Sequence, residues 1–154
     1  MNALASPPEG REGRRGLSKE EILRGREAFH SVFKEGNTVK GELLRLHMHQ
    51  GTSPDSVGVR VGFAVAGTFR LAVQRNRARR LMREAYRRSR PGLLVAFREA
   101  QTGADIVFLY HGGPDVRDPR RVKMQEVLLD LDRLVAKLSG RLVKVGPPQE
   151  KSGG

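Results

Sequence analysis

The run from Gln74 to Arg88, QRNRARRLMREAYRR, constrains the fold of this chain more than any other stretch. Wound as a helix at about 100° per residue, it gathers Ala78, Leu81, Met82 and Ala85 on one face, with Tyr86 at the edge. That face needs an apolar layer to dock on. The rest of the surface is cationic. Arg75, Arg79, Arg83 and Arg87 climb a neighbouring ridge four residues at a time, and Arg77, Arg80 and Arg88 occupy the far side. Like charges at i, i+4 repel, each pair costing roughly a few tenths of a kcal/mol on an exposed helix. Glu84 is the one acid in the run and can relieve only Arg80, Arg87 or Arg88. A merely solvated face mixes Glu with Lys. Here the countercharge is left to a polyanion, whose phosphates release condensed cations when they are neutralised.

The whole chain points the same way. Its 154 residues carry 29 Lys and Arg against 17 Asp and Glu, a formal net charge of +12, with arginine in excess. Arginine's planar fork binds phosphate bidentately and stacks on bases, which lysine does not do. The absence of cysteine excludes disulfides, thiolate metal sites and cysteine catalysis. No apolar run approaches the ~20 residues that span a bilayer, and the N-terminus lacks a signal-peptide core, so a cytoplasmic protein with no membrane partner is expected. Residues 1–16 and 146–154 are rich in Pro, Gly and charge. The expected organisation is a disordered extension over 1–16, one folded domain over 17–140 and a flexible tail over 141–154.

Within that domain, Ser18-Lys-Glu-Glu21 has the pattern of a capping box, and Gly25 defers the stable helix to about Arg26. Phe29, Val32 and Phe33 then share a side, and Gly36 suits a left-handed helix end. Residues 39–49 alternate Leu44, Leu46 and Met48 against Arg45, His47 and His49; residues 57–66 alternate Val57, Val59, Val61, Phe63 and Val65 against small residues and Arg60. Both read as half-buried strands, and together as an antiparallel hairpin whose small-residue face admits a close neighbour. Pro91-Gly92 reads as a break after the arginine helix. Residues 104–111, ADIVFLYH, read as a buried central strand. Pro119 suits the first turn of a last helix, whose stripe of Val122, Val127, Leu128, Leu131, Leu134, Val135 and Leu138 ends at Gly140. The class is α+β, helices on one small sheet.

Arg75-Asn76-Arg77-Ala78-Arg79-Arg80-Leu81-Met82-Arg83-Glu84 resembles the signature R-N-R-x-K/R-R-x-x-R-E of the protein subunit of bacterial ribonuclease P. Phe29-x-x-Val32-Phe33-x-x-Gly36 is similar to that family's first helix, Arg60-x-Gly62-x-x-Val65 to its third strand, and Ala104-Asp105-Ile106-Val107 to a later one. The resemblance implies a single-domain sandwich of the ribosomal protein S5 domain 2-like kind, α-β-β-β-α-β-α with a left-handed β-α-β crossover. It implies that the chemistry, removal of the 5′ leader from precursor tRNA, is done by a catalytic RNA with Mg²⁺, and that the protein binds that RNA and the leader and reduces the metal-ion requirement. Carried over residue by residue, Arg75, Asn76, Arg77, Arg79, Arg80, Arg83 and Arg87 would contact the catalytic RNA, and Phe29, Phe33, His47 and Arg60 would line the leader cleft. Two positions depart from the family. Val65-Ala66-Gly67-Thr68 lacks its Ser-Lys-Lys, and His47 stands where a tyrosine is usual.

No catalytic residue and no protein-held metal is expected. His47-x-His49 lacks a third ligand, and no paired carboxylates suggest a nuclease centre. A ribosomal or RNA-chaperone protein of similar fold is the alternative, which accounts for charge and periodicity but not for the four motifs in order. A DNA regulator would need a helix-turn-helix or dimer element, and none is found, so DNA is not expected as a partner.

Overall fold

Ala104–Tyr110 buries every residue except the half-buried Leu109, and this strand forms the middle of the sheet. The structure, a computed structural model, describes residues 21–51 and 58–145. In chain order the elements are α1 (Arg26–Glu35), β1 (Asn37–Lys40), β2 (Leu44–Gln50), β3 (Val59–Val65), α2 (Ala72–Ala100), β4 (Ala104–Tyr110), a 3₁₀ turn (Pro119–Arg121) and α3 (Met124–Val145). The strand order is β1-β2-β4-β3. β4 pairs antiparallel with β2 and parallel with β3, and α2 is the connection between the parallel pair.

This topology corrects the expected hairpin. Residues 39–49 are two strands, β1 and β2, paired antiparallel from Asn37↔Met48 to Lys40↔Arg45, and β3 pairs with β4 instead. The break is held from outside. The buried Asp130 carboxylate of α3 accepts the backbone N–H groups of Glu42, Leu43 and Leu44, each at 2.9 Å. A Cβ on Gly41 would lie 2.7 Å from that carboxylate, so only glycine fits beside it. β4 is apolar on both faces and needs a neighbour on each edge, which a β2–β3 hairpin would deny it.

One sheet face carries the main core. Leu44, Leu46, Val61, Ile106, Phe108 and Tyr110 pack against α2 and α3, which bury Met82, Tyr86, Leu93, Phe97, Leu131 and Leu138. Among the described residues, the other face meets α1 and the segment just before it, where Leu23, Val32 and Val107 form a small cluster with Ala28, Phe29 and Ala64 at its edge. One face is thus closed and the other half open.

Several local expectations are revised. Pro91 lies inside α2, which runs 29 residues to Ala100. An interior proline costs about 3 kcal/mol, but the helix beyond it buries Leu93 and Phe97, worth roughly 1.5–3 kcal/mol each. α3 passes Gly140 and buries Leu142. Pro119 opens the separate 3₁₀ turn, with Val122 at its end rather than in the helix. Gly36 is extended, at φ −85°; glycine is needed because a Cβ there would lie 2.5 Å from the carbonyl oxygens of Met48 and Val32. Ser18, Val57, the 1–16 extension and residues 146–154 lie outside the described residues. Glu21 lies in a 3₁₀ turn rather than an α-helix, and Ile22 makes a parallel bridge to Val61 on the outer edge of β3.

Candidate nucleic-acid interface

The buried residues of α2 follow the sequence pattern: Ala78, Leu81, Met82, Ala85 and Tyr86 all face the core. Its arginines divide into two groups. Arg75 folds back, donating from Nη1 to the carbonyls of Phe69 (2.9 Å) and Ala66 (3.2 Å) and from Nη2 to that of Val65 (3.3 Å). It thereby fastens the β3–α2 loop, the segment that lacks the family's Ser-Lys-Lys. Arg77 reaches the other way, from Nε to the carbonyl of Pro119 (3.4 Å) and from Nη2 to that of Val122 (3.2 Å). Both arginines of the Arg-Asn-Arg motif therefore hold backbone, a duty that helical periodicity alone does not reveal.

The second group is open. Among the described residues, no carboxylate lies within ion-pair distance of Arg79, Arg80 or Arg83. Together with Asn76, Arg77 and Val73 these three line a surface concavity of about 660 Å³. Glu84 pairs with Arg87 at 3.1 Å, one of its three possible partners. The guanidinium carbon of Arg83 also stands 5.9 Å from the centroid of the Phe63 ring, within cation–π range.

Across the sheet, Phe33 is 39% exposed and meets His47 edge-on at 4.7 Å. Phe29 is half-buried and lies flush on the sheet: a Cβ on Gly62 would fall 2.4 Å from its ring tip. The small-residue face of β3 does admit a close neighbour, and that neighbour is α1's own phenylalanine. Arg60 forms a two-pronged ion pair with the buried Asp105, its partner in register, at 2.8 Å on both prongs. Those hydrogen bonds raise the Arg60 pKa above its ordinary range, yet its side chain stays 47% exposed. Its charge is compensated locally while its flat face remains available. His47 stands beside Phe33 at the place where the family usually has a tyrosine. Burial, and then the charge of Arg45, lower its pKa, so the ring is neutral at pH 7. Thr38 Oγ1 lies 3.2 Å from its Nδ1, and its buried Nε2 has no partner among the described residues.

The arginine helix and the aromatic face also meet. A cavity of about 240 Å³ at the β3 edge is lined by Leu23, Phe29, Gly62, Phe63 and Arg83. The sequence pattern places Phe63 on a strand face but not in the site, although an aromatic within the Val59-x-Val61-x-Phe63-x-Val65 strand is a visible signal. Asp130 was missed as well. It sits among Val127, Leu131 and Leu134 on the apolar face of α3, where a lone acid requires a partner.

The sequence profile of the Ribonuclease P family matches residues 17–139. The chain belongs to the ribonuclease P protein family. Curated ribonuclease P protein components resemble it throughout the domain. That of Chlorobium phaeobacteroides is 39% identical over 107 residues, covering 63% of this chain and 73% of the relative. That of Porphyromonas gingivalis is 37% identical over 117 residues, covering 74% and 85%. Among solved structures, the RNase P protein from Thermotoga maritima superposes with a TM-score of 0.58 at 27% identity, covering 76% of this chain and 96% of that one. The Staphylococcus aureus protein, at 17% identity and a TM-score of 0.57 over 77% and 94% of the two chains, supports the fold. The four-stranded mixed sheet with helices is the architecture of these proteins, and the chain is the protein subunit of the ribonuclease P holoenzyme. The ribosomal or chaperone alternative is not favoured.

Among the described residues, no group of three or more His, Asp or Glu side chains is placed to hold a metal ion, and no helix is long and apolar enough to cross a membrane.

Proposed function

We propose that α2 binds the catalytic RNA of ribonuclease P while the half-open sheet face receives the 5′ leader of precursor tRNA in the cytoplasm. The observation that carries this reading is the open set of Arg79, Arg80 and Arg83, with Asn76 beside them, on a helix whose other face is fixed in the core. Arg87 adds charge shared with Glu84, and Arg75 and Arg77 hold the N-terminal end of the helix in place while offering their remaining donors to phosphate.

On the sheet side, Phe33, His47 and the flat face of Arg60 supply stacking surfaces that accept any base, worth about 1–3 kcal/mol per base stacked. Phe29 forms the floor against Gly62. The chemistry belongs to RNA-bound Mg²⁺; protein cations screen the phosphate repulsion that extra Mg²⁺ otherwise has to offset, which lowers the metal requirement.

The test is reconstitution with the cognate RNA subunit. Protein should lower the Mg²⁺ needed for precursor-tRNA cleavage and tighten binding of substrates that carry a leader. Equal cleavage with and without protein at low Mg²⁺ overturns the reading.

A further inference from the structure

The 3₁₀ turn is tied by side-chain hydrogen bonds to the first turns of α2. Arg77 donates to the carbonyls of Pro119 and Val122, which bracket Arg120 and Arg121. Asp118 caps the turn by accepting the Arg120 N–H at 3.0 Å, and its pKa is lowered, mainly by Arg120. Of the basic residues here, Arg120 is spent on Asp118, at 2.7 Å. Arg121 and Lys123 are exposed, and neither side chain has an ion pair or hydrogen bond among the described residues. Local acids thus neutralise one cation of the segment and leave two open, beside a helix that already displays uncompensated arginines.

We infer that Arg121 and Lys123 form a second phosphate-binding strip, continuous with α2, and that Arg77 is the positioning residue that places it. The inference rests on α2 binding RNA and extends that surface onto the β4–α3 segment. It fits a backbone that leaves the α2 concavity past Asn76 and Arg77 and continues over the turn. Recognition there is of phosphate, not of base: both side chains are long and flexible, and no aromatic ring lies among the residues from Pro114 to Lys123.

Filter binding of the full-length protein to its cognate RNA subunit across a salt series tests this. Each lost phosphate contact lowers the slope of log K against log salt by about 0.7–0.9. Arg121→Ala with Lys123→Ala is expected to lower it by about 1.4–1.8, with the urea midpoint unchanged. Arg77→Lys keeps the charge but cannot span two carbonyls, so it should also lower the slope. On that background the Arg121/Lys123 double substitution should cost clearly less than in the wild type, since the strip is already displaced. An unchanged slope for the double substitution, while Arg79→Ala with Arg80→Ala still lowers it, overturns the strip and leaves RNA binding by α2 standing. If neither pair alters the slope, the RNA-binding role of α2 fails as well. Full additivity of Arg77→Lys with the double substitution refutes the positioning role.

Discussion

Arg75→Ala separates the two kinds of arginine on α2. Three carbonyls lose a charged donor, but they do not lose it equally: Ala66 O also accepts the Phe69 N–H at 3.2 Å, whereas the carbonyls of Val65 and Phe69 are left to water. A hydrogen bond to a charged group contributes about 1.5–3 kcal/mol. Arg75 is only half-buried, so water partly replaces what is removed, and two such bonds amount to a net loss of about 2–3 kcal/mol. With a urea m-value of roughly 2 kcal/mol/M for a domain of this size, the midpoint should fall by about 1–1.5 M. The chain contains no tryptophan, so far-UV circular dichroism is the suitable signal. Arg79→Ala, which removes a cation with no ion pair, should leave the midpoint within about 0.3 M and lower the salt slope of RNA binding instead. An Arg75→Ala midpoint shift below about 0.3 M, combined with a slope loss equal to that of Arg79→Ala, refutes the division.

Further outcomes follow from the geometry. Asp130→Ala strips the β1–β2 turn of the acceptor for three N–H groups and should destabilise the fold by about 3–4 kcal/mol in urea titration. Gly36→Ala should cost more than Gly62→Ala, because the first drives Cβ into two backbone carbonyls and the second into a ring that can swing; equal midpoints would contradict that ranking. His47 and His111 both have pKa values lowered, first by burial, so the unfolded chain takes up more protons than the folded one just below pH 6.5. Stability should therefore decline as pH falls from about 6.5 and level off below the folded pKa values, and His47→Phe should remove part of that decline in pH-dependent urea melts.

What was legible in the sequence was whatever a single element decides for itself. The apolar face of α2, the alternation of β2 and β3 and the central place of β4 each depend on periodicity within a few residues. The errors came where a distant residue decides. Pro91 looks like a terminator until Leu93 and Phe97 are known to reach the core. The β1–β2 break depends on Asp130, some 87 residues further along. Arg75 and Arg77 read as free cations because backbone carbonyls, present at every residue, leave no trace in a sequence. Arg60 was noticed and so was Asp105, but not that parallel pairing sets them side by side.

The position of β4 has a consequence for how the protein is made. β1 and β2 form one piece of the sheet and β3 another, and β4 alone joins them. A ribosome delivers β3 first, then the whole arginine helix, and only afterwards the strand that pairs with both. Until residue 110 emerges, the nascent chain presents unpaired strand edges and a polycation with no sheet to align it. Folding speed is then set by closure of long loops rather than by helix formation, and a chain truncated before β4 would be an adhesive for RNA and for other chains rather than a subunit.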